Sequence, residues 1–144
     1  MPHSLTKIWI HAVFSVNKRE NLINSNFENH LYNHIKEKLE KDQDCKVRII
    51  NGGSDHIHIL FLMSQNIAVK DIMQNIKGES SHWINQMNFI KEKFSWQIGY
   101  GAFSVSESMV KEVENYIKTQ KEHHKKISFK EEYDLILKKY GIVE

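Results

Sequence analysis

Residues 56–63 read HIHILFLM. The run is almost continuously apolar and has the length and residue types of a strand at the centre of a sheet. Alternation along a strand sends residues i and i+2 to the same face. Ile57, Ile59 and Phe61 therefore face a core, and His56 and His58 share the other face. Asn51, Gly52 and Gly53 form a turn before this strand, and residues 45–50, CKVRII, form another strand ahead of the turn.

Further toward the N-terminus, residues 6–15, TKIWIHAVFS, are a strand rich in β-branched and aromatic residues. Between them lies a helix that starts near Ser25. Ser25 and Glu28 have the spacing of a capping box, and Phe27, Leu31, Ile35 and Leu39 recur every four residues. Toward the C-terminus, a helix over about 68–87 carries Val69, Ile72, Met73, Ile76, Trp83 and Ile84 on one face. Residues 96–105, WQIGYGAFSV, are a fourth strand, in which Gly99 and Gly101 indicate a bulge or the close approach of a ligand backbone. Ser104 and Glu107 offer a capping box for a long helix over about 106–124. Ser128 and Glu131 offer another for a last helix ending at Gly141.

The order strand, helix, strand, strand, helix, strand is the split βαβ pattern. It predicts an α+β fold: a ferredoxin-like (RRM-like) antiparallel sheet with helices packed on one face. An additional C-terminal helix carries Tyr116. With 144 residues, 40% of them hydrophobic and 26% charged, the chain can bury roughly 70% of its unfolded surface without disulfides. No repeat or linker interrupts it, and its only proline is Pro2, so a single domain over 1–144 is expected. No apolar run approaches a membrane span, and MPHSLTKIW lacks the apolar stretch of a signal peptide. The lone Cys45 excludes an internal disulfide. The expected setting is cytoplasmic. Lys and Arg number 20 against 18 Asp and Glu, a formal net charge of +2; a nucleic-acid contact would need a local patch.

Two neutral imidazoles on one rigid strand are half of a divalent-metal site. Read alone, they are equally a pair of structural histidines. Tyr116 and Gln120 are four apart on the later helix, so their side chains are neighbours, with His123 one turn further and His124 near the helix end. A metal held by His56, His58 and an oxygen of Gln120 has an N₂O set with open positions, suited to Mg²⁺ or Mn²⁺ bound to a phosphate. A tyrosine one turn away is placed to attack that phosphate.

With these residues in view, the chain resembles the single-tyrosine HUH transposases (the transposase A family) of the smallest bacterial insertion sequences. The resembling segments are HAVFS from His11, DHIHIL from Asp55, WQIGYGAFSVS from Trp96 and YIKTQKEHH from Tyr116, in family order. The resemblance implies a bacterial or archaeal enzyme in which His56, His58 and Gln120 hold Mg²⁺ or Mn²⁺. Tyr116 is then the nucleophile that leaves a 5′-phosphotyrosine and a free 3′-hydroxyl. It also implies a homodimer, active sites shared between subunits, and single-stranded DNA hairpins at element ends as the partner. Ser54 departs from the family, where many members carry proline before the acidic residue; the change affects a turn and leaves the chemistry in place. Lys18, Arg19 and Arg48 are the candidate DNA-phosphate contacts, and Trp96, Tyr100 and Phe103 are aromatics that either stack on unpaired bases or pack in the core.

Other readings meet specific obstacles. Replication initiators and conjugative relaxases carry additional domains or another order of motifs. A histidine-triad hydrolase needs a third histidine where Leu60 stands, and a two-histidine phosphoesterase needs a second His-x-Ser/Thr motif. A domesticated single-tyrosine endonuclease acting on chromosomal palindromes uses the same residues, and the DNA beside the gene separates it from a mobile element. A non-catalytic ferredoxin-like nucleic-acid-binding domain needs neither metal nor covalent capture.

Overall fold

The computed structural model describes residues 4–142; Pro2 and the extreme ends of the expected 1–144 domain lie outside them. The elements are β1 (Trp9–Ser15), α1 (Glu28–Asp42), β2 (Lys46–Gly52), β3 (His56–Leu62), α2 (Val69–Met87), β4 (Gly101–Val105), α3 (Val110–Lys118), α4 (Gln120–His123) and α5 (Phe129–Lys139). The four strands form one sheet in the order β2-β3-β1-β4, and every neighbouring pair is antiparallel. This is the ferredoxin-like arrangement that the split βαβ order predicts.

One face of the sheet carries Ile10, Ala12 and Phe14 of β1 with Ile57, Ile59 and Phe61 of β3. Helices α1 and α2 cover it with Leu31, Ile35, Leu39, Ile72, Met73, Ile76 and Ile84. Full burial of each such side chain contributes about 1.5–3 kcal/mol, so this layer holds the fold. The other face is covered as well, which differs from the one-sided layer expected from the pattern. Trp9, Leu60 and Val105 lie under Val110, Val113 and Ile117 of α3. Val13 and Phe103 lie under Phe129 and Ile136 of α5. The reason is compositional: the second face of β1 and β3 also carries Trp9, Val13 and Leu60, and these apolar side chains need their own cover.

Local details also depart from the sequence pattern. Helix α1 is entered through Asn24, whose Oδ1 accepts from the backbone N–H of Asn26 (2.9 Å) and Phe27 (3.2 Å). Ser25 and Glu28 form no capping box; the Glu28 carboxylate instead pairs with Lys121, 3.1 Å away. Ser104 lies inside β4, and Glu107 is drawn to Lys7 at 2.9 Å. Only Ser128 caps as expected, accepting from the Glu131 N–H at 3.2 Å. Strand β4 begins at Gly101 rather than Trp96, because Gly99 takes a left-handed φ of 90° and Trp96 makes only an isolated bridge to Val16. A Cβ on Gly101 would lie 2.9 Å from the Phe103 ring and from the Tyr133 hydroxyl. The close approach foreseen at this glycine is thus made by the chain's own side chains.

The single helix expected over 106–124 is a short 3₁₀ turn followed by α3 and α4, broken at Thr119 (φ −98°, ψ 19°). The Thr119 hydroxyl bonds back to the carbonyls of Asn115 (3.1 Å) and Tyr116 (3.2 Å), a competition with the helical ladder that bends helices. Asn51, at the end of β2, donates its Nδ2 to the carbonyls of Ile117 (3.0 Å) and Lys118 (3.2 Å). The carbonyls freed by the break are therefore satisfied from the sheet. Among the described residues, no helix is long and apolar enough to cross a membrane.

Candidate active site

Strand β3 presents His56 and His58 on the face covered by α3 to α5, and both are fully buried. A Cβ on Gly53 would lie 2.9 Å from the His56 ring, so the turn passes close over that imidazole only because the side chain is missing. His56 donates its Nδ1–H to Asp55 Oδ1, 2.8 Å away. This orients the ring and turns Nε2 toward the centre. That Nε2 lies 2.9 Å from Gln120 Oε1. Phe129 stacks on the His56 ring at 4.3 Å between centroids.

His58 is paired at both nitrogens. Its Nδ1 is 2.9 Å from Nε2 of His11 on β1, and its Nε2 is 3.3 Å from Glu132 Oε1. Burial, and then the neighbouring His58, lowers the His11 pKa to about 3. Burial lowers that of His58 to about 4, against the opposing pull of the Glu132 carboxylate. Both rings are therefore neutral at physiological pH, which is the state that can bind a metal.

Gln120 sits at the start of α4 and is buried. Its Nε2 donates to Glu132 Oε2 at 2.7 Å. Tyr116 on α3 donates its hydroxyl to the same Oε2, and its ring lies 5.8 Å from that of His58. Burial and the Glu132 carboxylate push the Tyr116 phenol well above its ordinary value. His124 Nε2 is 2.9 Å from Glu132 Oε1. Burial alone would push the Glu132 carboxyl up, but its contacts with His58, Tyr116 and Gln120 outweigh it and hold the group below the usual carboxylate range.

The four residues singled out from sequence, His56, His58, Tyr116 and Gln120, thus meet at one centre within a single chain. Sequence reasoning missed Glu132 at that centre, and His11 and His124 beside it. Glu132 is buried, yet in sequence it reads as an acidic residue in the first turn of α5, where the helix dipole favours one anyway. His56, His58 and Glu132 offer ligand atoms within 4.8 Å of one another. The donor set of imidazole nitrogens, an amide oxygen and a carboxylate fits a divalent cation such as Mg²⁺ or Mn²⁺.

The candidate DNA contacts are divided. Lys18 and Arg19 are exposed in a 3₁₀ turn after β1, both with positive φ (57° and 54°). They line an open cleft of about 460 Å³ with Gln97, Tyr100, Phe129 and Tyr133. Phe129 stands between this cleft and His56. Arg48 lies apart, paired with Glu114 at 3.1 Å and placed over the Trp9 ring. Of the aromatics, Trp96 and Phe103 are core residues: the Trp96 indole donates to Ser80, and Phe103 stacks on Tyr140 at 4.4 Å. Tyr100 is partly exposed, at 38%.

Comparison with known proteins adds to this geometry. The family model described as IS200-like transposase matches residues 4–120. The comparison with curated proteins gives no match. A candidate transposase from Deinococcus radiodurans R1 has a similar structure, with a TM-score of 0.67 and 16% identity over 83% of this chain and 95% of that chain. A REP-associated tyrosine transposase, solved bound to a REP hairpin, has a TM-score of 0.54 and 15% identity over 81% of this chain and 68% of that one. At these identities the structural likeness is one of fold. Helix α5, and Glu132 with it, lies beyond the residues matched by the family model.

Proposed function

The chain belongs to the IS200-like transposase family, and from that premise we propose that it cleaves and rejoins single-stranded DNA at hairpin-flanked element ends, using Tyr116 as nucleophile. The observation that carries the reading is the convergence of the Tyr116 hydroxyl, both histidines and Gln120 on one buried polar centre. In the reaction the Tyr116 oxygen forms a bond to phosphorus and the bond to the 3′-oxygen breaks. The phenolic proton is lost and the departing 3′-oxygen gains one. The 5′ end is then held as a phosphotyrosine, and attack by a 3′-hydroxyl reverses the step. One phosphoester replaces another, so the bond energy is kept for rejoining.

His56, His58 and Gln120 would hold Mg²⁺ or Mn²⁺, which supplies Lewis-acid polarisation of the phosphoryl oxygens. Asp55 and His11 hold the two imidazoles in orientation from behind. Lys18 and Arg19 would contact phosphates along the cleft, and Tyr100 would stack on an unpaired base. Arg48 would serve as a DNA contact only after releasing Glu114. We place the enzyme in the cytoplasm as a homodimer. Because Tyr116 meets His56, His58 and Gln120 of its own chain, our reading builds each site of the dimer within one chain, in place of the sharing that the family resemblance implies.

Covalent capture tests the reading. The protein is mixed with single-stranded DNA from the flanks of its own gene, with and without Mg²⁺, and any adduct is mapped by mass spectrometry. A metal-dependent adduct on Tyr116, absent with duplex DNA, is expected. Hairpin binding with bound metal but no adduct would reject the catalytic assignment in favour of a DNA-binding relative.

A further inference from the structure

We infer that Glu132 is a fourth protein ligand of the divalent ion and that the same carboxylate holds Tyr116, joining the ion to the nucleophile. The inference rests on the metal-dependent reading above and adds to it a residue outside the stretch matched by the family model.

His56 donates its Nδ1–H to Asp55, which turns Nε2 toward the centre. Facing that nitrogen are Gln120 Oε1 at 2.9 Å and Glu132 Oε1 at 3.6 Å. Gln120 cannot be turned over, because its Nε2 donates to Glu132 Oε2. These atoms converge on one point, with His124 Nε2 a further partner of Glu132 Oε1 at 2.9 Å, and they are donor types that a divalent cation collects. His58 Nε2 is 3.3 Å from Glu132 Oε1. Adjacent ligand atoms around a six-coordinate ion with bonds of about 2.1 Å lie about 3 Å apart, and the spacings here bracket that value.

The second oxygen of Glu132 faces away from the histidines and accepts the Tyr116 hydroxyl. A carboxylate can bind an ion through one oxygen and a hydroxyl through the other. The position of the nucleophile is then tied to that of the ion through a single rigid group. The residue comes from α5, which Ser128 caps and which Phe129 and Ile136 anchor to the sheet. This helix is therefore part of the ion site as well as a cover over it.

The test uses the full chain and Mn²⁺ alone as the probe. Free Mn²⁺ is read by electron paramagnetic resonance for wild type, Glu132→Ala, Glu132→Gln and the exposed control Glu131→Gln. Both Glu132 variants are expected to bind at least about ten-fold more weakly, with the control unchanged. Affinity within two-fold of wild type in folded Glu132 variants would overturn the inference while leaving the His pair as a metal site. A second measurement needs no variant. In ¹⁵N-labelled wild type, substoichiometric Mn²⁺ should broaden the amides of residues 131–133 together with those of 56–58. Broadening of 56–58 without 131–133 also overturns it. If wild type binds no Mn²⁺ at all, the metal-dependent reading fails along with the inference.

Discussion

Tyr116→Phe removes one hydroxyl and leaves the ring in its place. Glu132 Oε2 keeps the amide of Gln120 as a donor, so the fold and Mn²⁺ binding should persist. The DNA adduct should be lost completely. An adduct formed by the phenylalanine variant, traced by peptide mapping, would assign the nucleophile elsewhere. His11 allows a second comparison. Phenylalanine at position 11 keeps an aromatic ring but gives His58 Nδ1 no partner, whereas glutamine keeps a polar atom there. Mn²⁺ affinity measured by titration should fall about 10- to 100-fold in His11→Phe and less in His11→Gln. Equal affinities in the two variants would mean that His11 only packs. The His56/His58 pair was legible because strand alternation is a local rule, and Tyr116 and Gln120 because their spacing is one helical turn. Glu132 was not, since 74 residues separate it from His58 and its local setting already explains an acid. His11 meets His58 diagonally across two strands, and strand pairing is invisible in either strand read singly.

Among the elements, the regular ones were readable and the interrupted one was not. The stripe of α1 and the buried face of α2 follow from periodicity, and Leu31, Ile35 and Leu39 are fully buried as the pattern requires. The break between α3 and α4 depends on Asn51, a residue of another element. Its side chain takes up the carbonyls at a break where the Thr119 hydroxyl already competes with the helical ladder. Asn51→Ala removes both bonds to the α3 carbonyls and should cost about 1–2 kcal/mol, seen as a lower midpoint in urea unfolding. Adduct formation should drop by more than the loss of folded protein accounts for, because Tyr116 and Gln120 flank the freed segment. An unchanged rate per folded molecule would show that the break is only a cap. The second layer of helices was foreseeable in principle from the apolar outer residues of β1 and β3, but the ferredoxin-like pattern alone points to one face.

At the level of the whole molecule, the buried histidines set the response to acid. His11 and His58 have folded pKa values of about 3 and 4, below the ordinary imidazole value of 6.5. Between about pH 6.5 and 4 the unfolded chain binds more protons than the folded one, so stability falls as pH falls. Glu132, held below the usual carboxylate range, adds to the loss once the pH drops below about 4.5. The melting temperature should therefore decline steadily from pH 6.5 to 4. In a His11→Phe, His58→Phe double variant the decline should be shallower, and an identical slope would place the acid response elsewhere. A mixing experiment addresses assembly. If each site is built within one chain, as proposed, His58→Ala and Tyr116→Phe proteins mixed together should form no more adduct than either alone; recovery on mixing would mean that subunits exchange their tyrosines.

The contact between Asn51 and the end of α3 makes the hairpin a ruler. Each residue along a strand advances about 3.3 Å, and Asn51 is paired with His58 across β2 and β3. The side chain at the end of the helix that carries Tyr116 is thus set opposite His58 by strand pairing itself. Any slip of that pairing becomes, ångström for ångström, a displacement of Tyr116 relative to His58. Lengthening the loop at 88–93 leaves this measure untouched, whereas a single insertion between Asn51 and His58 resets it. Natural variation in chain length should therefore accumulate in the first segment and be purged from the second.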